Sequence, residues 1–146
     1  MNVLVFHIGP DRYGLPLTAI ARVLPAVELK HIPLAPAWVA GLLDFHGAPV
    51  PVLDLSRLAG LAPQQACFDS RIVLAHYQGR LLGLLAEHVV GTLALDAARL
   101  ADSGVKSAPF LGQVSGLEGG MLQLVDVTHL LSDEVRALLF PARDAA

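Results

Sequence analysis

The residues of this chain that could do chemistry are six histidines, one cysteine and a scatter of serines and aspartates. A nucleophilic serine needs a sharp strand-to-helix turn that holds its hydroxyl clear of the backbone. Ser115 stands in Gly112-Gln113-Val114-Ser115-Gly116, one residue off that spacing, in a segment that reads as a strand entering a turn. Cys67, beside Phe68, carries no local signature of an activated thiol and reads as a loop or core residue. His7, His31, His46, His76, His88 and His129 make no HExxH motif and no short-spaced Cys/His set, so no metal site is expected. His7 and His76 fall near strand ends, which accounts for them without a metal. Gly116-Leu117-Glu118-Gly119-Gly120 fits neither the phosphate-cradling loop nor the dinucleotide fingerprint. Asp54 and Asp126 invite a reading as paired carboxylates. Each, however, ends an apolar run and precedes a helical turn, where a carboxylate accepts hydrogen bonds from free backbone N–H groups. A hydrolase would rest on Ser115 and Asp126 alone, and the expectation is a protein with no catalytic residues and no cofactor.

The elements that position these residues are short and densely punctuated. Thirteen glycines and ten prolines separate apolar runs rich in Val, Leu and Ile. Val3–Ile8 and Tyr13–Leu17 flank Gly9-Pro10-Asp11, a turn signal. Val23–Leu29 is a further strand candidate. Gly41–Phe45 and Pro49–Leu53 flank His46-Gly47-Ala48, and Arg71–Tyr77 and Arg80–Ala86 flank Gln78-Gly79, a two-residue connection whose glycine tolerates positive φ. Val114–Leu117 and Met121–Val125 flank Glu118-Gly119-Gly120. Many short strands at this spacing predict an all-β fold, barrel or sandwich, with few helices. Pro36–Ala40 and Leu55–Leu61 supply at most a turn or two each. The clearest helix runs from about 132 to 140, with Ser132 as N-cap, Asp133 and Glu134 in its first turn, and Pro141 as its stop. The tail Ala142–Ala146 reads as frayed.

A weak internal repeat organises these strands. Tyr13-Gly14-Leu15 is echoed 69 residues later by Leu82-Gly83-Leu84, each followed by a β-branched residue, Ile20 and Val89. Pro36-Ala37-Trp38-Val39-Ala40-Gly41 is echoed by Pro109-Phe110-Leu111-Gly112, and Val52-Leu53-Asp54-Leu55 by Leu124-Val125-Asp126-Val127. The expectation is a single domain over 1–146, made of two copies of a five-strand barrel that share a core. The pseudo-repeat halves span about 1–60 and 70–131, joined near Gly60–Asp69.

Composition narrows the function classes. The chain has 146 residues, 54% of them from the apolar and aromatic set and only 16% charged, against about 25% in a typical domain. That excludes disorder and suggests that apolar surface faces a partner. Net charge is −3 and the ten basic residues are scattered, leaving no footprint for nucleic acid. One cysteine cannot form an internal disulfide. The opening residues carry no signal-peptide pattern, and Leu81–Leu95 is interrupted by Glu87 and His88, so a cytoplasmic protein without membrane insertion is expected.

The segment Ile32-Pro33 … Ala35-Pro36-Ala37-Trp38-Val39-Ala40-Gly41-Leu42-Leu43-Asp44-Phe45-His46-Gly47-Ala48-Pro49-Val50-Pro51-Val52-Leu53-Asp54-Leu55 resembles the bacterial chemotaxis coupling protein (CheW) family. The family pattern there is a proline, an aromatic, a glycine, Asn-x-Arg-Gly and Pro-Val-x-Asp-Leu-Arg. Phe6-x-x-Gly9 … Tyr13-Gly14-Leu15 looks like the family's first hairpin, and Gly83-Leu84-Leu85-Ala86-Glu87-His88-Val89 resembles its second-half signature. The resemblance implies two intertwined five-stranded SH3-like β-barrel subdomains with a C-terminal helix. It also implies a non-catalytic adaptor, recruited to membrane-associated receptor arrays, that joins the cytoplasmic tip of a methyl-accepting chemoreceptor to the regulatory domain of a histidine kinase. Ile20, Arg22, Gly41, Phe45 and His46 match positions the family uses for partner contacts.

Several of those positions depart from the pattern. Asp44-Phe45-His46-Gly47 replaces Asn-x-Arg-Gly, exchanging a forked permanent cation for an imidazole. Arg22-Val23 stands where the family has a glutamate and a hydrophobic residue, a charge reversal. Ser56 takes the place of the arginine after Asp-Leu, and Glu87 that of an aspartate. Two readings follow. In one, the chain serves a dedicated non-flagellar array, such as a surface-sensing Wsp-type pathway, whose kinase and receptor carry compensating changes. In the other, it is a small-molecule-sensing or drifted relative that no longer couples receptor and kinase.

Overall fold

Short apolar runs broken by glycine and proline pair here as strands, with only brief helical turns between them. The structure, a computed structural model, describes residues 1–8, 11–58, 70–96, 100–101, 111–117, 120–131 and 133–140. Cys67, the joint over 60–69, Ser132, Pro141, the tail and the turn residues Gly9, Pro10, Glu118 and Gly119 lie outside the described residues. The strands are β1 (Asn2–Ile8), β2 (Asp11–Pro16), β3 (Ile20–Pro25), β4 (Val39–Phe45), β5 (Ala48–Asp54), β6 (Arg71–Tyr77), β7 (Arg80–Ala94), β8 (Leu100–Ala101), β9 (Leu111–Leu117) and β10 (Gly120–Val125). The helices are α1 (Leu55–Leu58) and α2 (Asp133–Leu139), with 3-10 turns at Leu17–Ala19 and Val127–His129. The fold is all-β with short helices.

Two strands differ from their sequence reading. β3 begins at Ile20, directly after the 3-10 turn, and ends at Pro25, which has no N–H to extend the ladder; Val23–Leu29 had been the expected span. β7 does not stop at Ala86. It continues to Ala94 because it changes partner on the way: Arg80–Ala86 pair with β6, and Glu87 and Gly91–Ala94 pair with β1. His88, a non-glycine residue at φ 48°, and Gly91 at φ 137° mark the crossing.

That change of partner divides the strands into two lobes. The second lobe comprises β3 to β6 with the first half of β7, and the first comprises β1, β2, the second half of β7, β8, β9 and β10. The second lobe is thus one stretch of chain, 20 to 86, and the first is assembled from what flanks it. Each lobe combines strands from both sequence halves.

The ladders of the two lobes repeat each other. β2 pairs in parallel with β10, setting Gly14 opposite Leu124, and β7 pairs in parallel with β5, setting Gly83 opposite Val52. Buried side chains approach both glycines closely. A Cβ on Gly14 would stand 2.9 Å from Leu122 Cδ2, and one on Gly83 2.7 Å from Val52 Cγ2. β3 on β6 and β7 on β1 each carry a register shift, between Ile20 and Arg22 and between Val5 and His7.

Strand alternation sends successive side chains to different cores. Val3 and Val5 join Leu95, Leu122 and Leu124 in a cluster of the first lobe. Ile72 and Leu74 join Leu43, Val50 and Val52 in the corresponding cluster of the second. The largest cluster lies between the lobes and takes Leu4, Phe6, Ile8 and Leu15 from one, and Leu53, Val73, Tyr77, Leu82 and Leu84 from the other.

Candidate functional site

The β4–β5 hairpin builds the exposed part of the surface. His46 at φ 52° and Gly47 at φ 87° connect the paired residues Phe45 and Ala48, the two-residue turn with both central φ positive that matches strand twist. The Gly47 N–H donates to Asp44 Oδ1 at 2.8 Å and pins the turn. His46 is therefore held exposed at the tip, while Phe45 is half-buried and packs against the second lobe's own core.

β3 brings Arg22 to the same place. The Arg22 guanidinium carbon lies 5.7 Å from the centre of the Phe45 ring, and the Phe45 and His46 rings are 4.5 Å apart at 59°. The cation over the ring face contributes about 0.5–1 kcal/mol at such an exposed site. Arg22, Phe45 and His46 thus form one patch of a permanent cation, an aromatic ring and an imidazole.

The other two expected contact residues stand elsewhere. Ile20 is half-buried and packs against the core between the lobes. Gly41 is buried at φ 151°, and a Cβ there would meet Lys30 O at 2.6 Å. Its lack of a side chain lets the Lys30 segment bridge β4, with Lys30 N–H donating to Leu42 O at 2.9 Å and Leu42 N–H to Lys30 O at 2.7 Å. Next to Ile20, a groove of about 360 Å³ opens between the lobes, lined by Pro16, Thr18, Ala19, His76 and the stretch from Leu124 to Thr128.

The two aspartates act on backbone. Asp54 Oδ1 accepts from the N–H groups of Ser56 at 3.0 Å and Arg57 at 3.3 Å, opening α1. Asp126 Oδ1 accepts from Thr128 N–H at 3.1 Å and from the Thr128 hydroxyl, and its Oδ2 lies 2.7 Å from His129 Nδ1. Partial burial opposes the charged form of Asp126, but these hydrogen bonds and the charge of His129 outweigh it and hold the carboxyl below the ordinary carboxylate range. Burial and the nearby Asp11 carboxylate push the Tyr13 phenol up. Among the described residues no group of three or more His, Cys, Asp or Glu side chains converges on a point, and no helix is long and apolar enough to cross a membrane.

Reading the residues in order does not reveal that Arg22 lies over Phe45. Arg22 lies on β3, which pairs with the distant β6, and Phe45 on the β4–β5 hairpin, and a charge on one strand carries no local signal of an aromatic on another. The apolar groove beside Pro49, Arg80 and Phe140 has no local signal either, since its walls come from β5, β7 and the end of α2.

A family model described as "CheW-like domain" matches residues 2–135. The chain is 24% identical over 144 residues to "Chemotaxis protein CheW" of Rhizobium meliloti (strain 1021), covering 92% of this chain and 90% of the relative. It is 25% identical over 142 residues to the protein of the same name from Klebsiella aerogenes, covering 93% and 84%. In three dimensions it superposes with a TM-score of 0.84 on the crystal structure of scaffolding protein TtCheW from Thermoanaerobacter tengcongensis, at 22% identity and covering 92% of this chain and 89% of that one.

Proposed function

Because the chain belongs to the CheW-like domain family, we propose that it is a non-catalytic adaptor, coupling the cytoplasmic tip of a chemoreceptor to the regulatory domain of a chemotaxis-type histidine kinase. The observation that carries this reading is the clustering of Arg22, Phe45 and His46 on one exposed part of the second lobe. An aromatic flanked by an arginine is the composition of an interface hot spot. The groove beside Ile20 offers the second surface an adaptor needs, with mostly apolar walls that suit a helical hairpin tip. The arginine at position 22 and the imidazole at 46 point to a dedicated array whose partners carry compensating side chains. Gly41 serves the same surface from beneath, by fixing the strand that presents Phe45 and His46.

The test is a titration of the chain against the regulatory domain of each chemotaxis-type kinase from the same cell. Saturable binding to one of them is expected, weakened about 30-fold or more, or about 2 kcal/mol, when a true hot spot such as Arg22 is reversed to Glu. If Arg22→Glu and His46→Ala both leave every partner affinity unchanged, this surface is not the docking site. Binding to no kinase would remove the adaptor reading itself.

A further inference from the structure

The two lobes repeat each other's ladders, so a place where the repeat fails is informative. In the first lobe the parallel β2–β10 ladder runs from the Arg12–Leu122 pair to the Gly14–Leu124 pair. The matching positions in the second lobe are Leu81–Val50 and Gly83–Val52. There the ladder begins only at Val52–Gly83, and Val50 and Leu81 are not joined. The sequence supplies the cause. Val50 is bracketed by Pro49 and Pro51, which have no N–H to donate, whereas the corresponding neighbours of Leu122 are Met121 and Gln123. β5 and β7 therefore part where β2 and β10 stay together.

The gap is a groove of about 590 Å³, within the range of small-molecule sites. Pro49, Val50 and Leu81 supply apolar walls, and Leu139 and Phe140 at the end of α2 close one side. Among the described residues the polar side chains that line it are His76 and Arg80, and none of the lining is acidic. Arg80 lies 5.4 Å from the centre of the Phe140 ring and has no carboxylate partner among the described residues. In the adjoining crevice, which Arg80 also lines, Asp133 is paired with Arg136 at 3.0 Å.

We propose that this groove binds a small amphipathic carboxylate, its apolar body between β5 and β7 and its carboxylate on Arg80. Apolar walls favour the body by removing its surface from water, and a guanidinium at the rim with no carboxylate partner among the described residues offers the forked donor that a carboxylate fits. The site uses none of Arg22, Phe45 or His46 and shares only His76 with the groove beside Ile20, while Arg80, on which it turns, lines neither docking surface.

The test uses the full chain with sodium octanoate as probe and octan-1-ol as its uncharged counterpart, read by isothermal calorimetry and by thermal shift. Octanoate is expected to bind saturably at one site and to raise the melting temperature, with octan-1-ol weaker. Arg80→Gln is expected to weaken octanoate by about tenfold or more, the scale of a lost charge-assisted hydrogen bond, while leaving octan-1-ol unchanged. That unchanged octan-1-ol binding also reports that the variant keeps its groove. Absence of saturable octanoate binding, equal binding of the two probes, or octanoate binding by Arg80→Gln equal to wild type would each overturn the proposal. The kinase titration is run separately, so either result can fail alone.

Discussion

A backbone carbonyl 2.6 Å from where a methyl would sit leaves Gly41 no substitute. At φ 151° an alanine is strained even before that clash, and the obstacle is main chain, which cannot swing aside. Gly41→Ala is expected to cost about 1–3 kcal/mol, read as a lowered urea midpoint, and its loss of partner binding should track the loss of folded protein. Arg22→Glu, on an exposed position, should leave the midpoint nearly unchanged while acting on binding. Asp54 is legible from the sequence because it does a local job, an aspartate after a strand, whereas Gly41 lies inside β4 and its role is set by the Lys30 segment, which no local pattern shows. The Arg22–Phe45–His46 patch was legible only as separate residues. Which of them touch depends on how β3 lies beside the β4–β5 hairpin, and no local pattern encodes that.

Elements obey the same division. Hairpins were readable wherever two apolar runs flanked a short polar turn, and Gln78-Gly79 and His46-Gly47 behave as their glycines suggest. The sequence predicts an end to β7 at Ala86, before the polar pair Glu87 and His88. They are instead the crossing between lobes, where a strand that leaves one ladder for another exposes polar residues without ending. The 3-10 turn after β10 offers a test of capping. Folding holds the Asp126 carboxyl below its ordinary range, so the native state favours its charged form. The resulting stability is present above the unfolded value of about 3.9 and is lost as pH falls through the lower folded value. The carboxylate side chain is 39% exposed, so solvent screens the effect and it will be modest. Asp126→Asn keeps an acceptor for the Thr128 N–H but cannot titrate. Its melting temperature should therefore fall less than that of wild type between pH 5 and pH 3, and parallel curves would show that the carboxylate's charge is not what matters. Asp126→Ala removes the acceptor as well and should cost about 1 kcal/mol at neutral pH.

Over the whole molecule, the decisive feature is that the lobes share their largest core. Leu4, Phe6, Ile8 and Leu15 belong to strands that flank the 20–86 stretch, yet they pack against Leu53, Val73, Tyr77, Leu82 and Leu84 within it. Among the described residues, what remains private to each lobe is a cluster of five buried side chains, Val3, Val5, Leu95, Leu122 and Leu124 in one and Leu43, Val50, Val52, Ile72 and Leu74 in the other. Clusters of that size cannot offset the conformational entropy of ordering a lobe, at about 1–2 kcal/mol per residue for the backbone alone. The 20–86 fragment, although it holds every strand of its lobe, should therefore be unfolded by circular dichroism. The intact chain should unfold in one step, with Trp38 fluorescence, which reports on the shared core, coincident with far-ultraviolet circular dichroism. Leu53→Ala, at a fully buried position of that core, should lower stability by about 2–5 kcal/mol and move both probes together. A folded 20–86 fragment, or two separated transitions, would mean that the lobes are energetically independent. Under the proposed adaptor function, independent lobes would let the two proposed docking surfaces drift in relative orientation. A shared core fixes the groove beside Ile20 in one relation to the Arg22–Phe45–His46 patch, and that fixed relation is what a coupling element must supply.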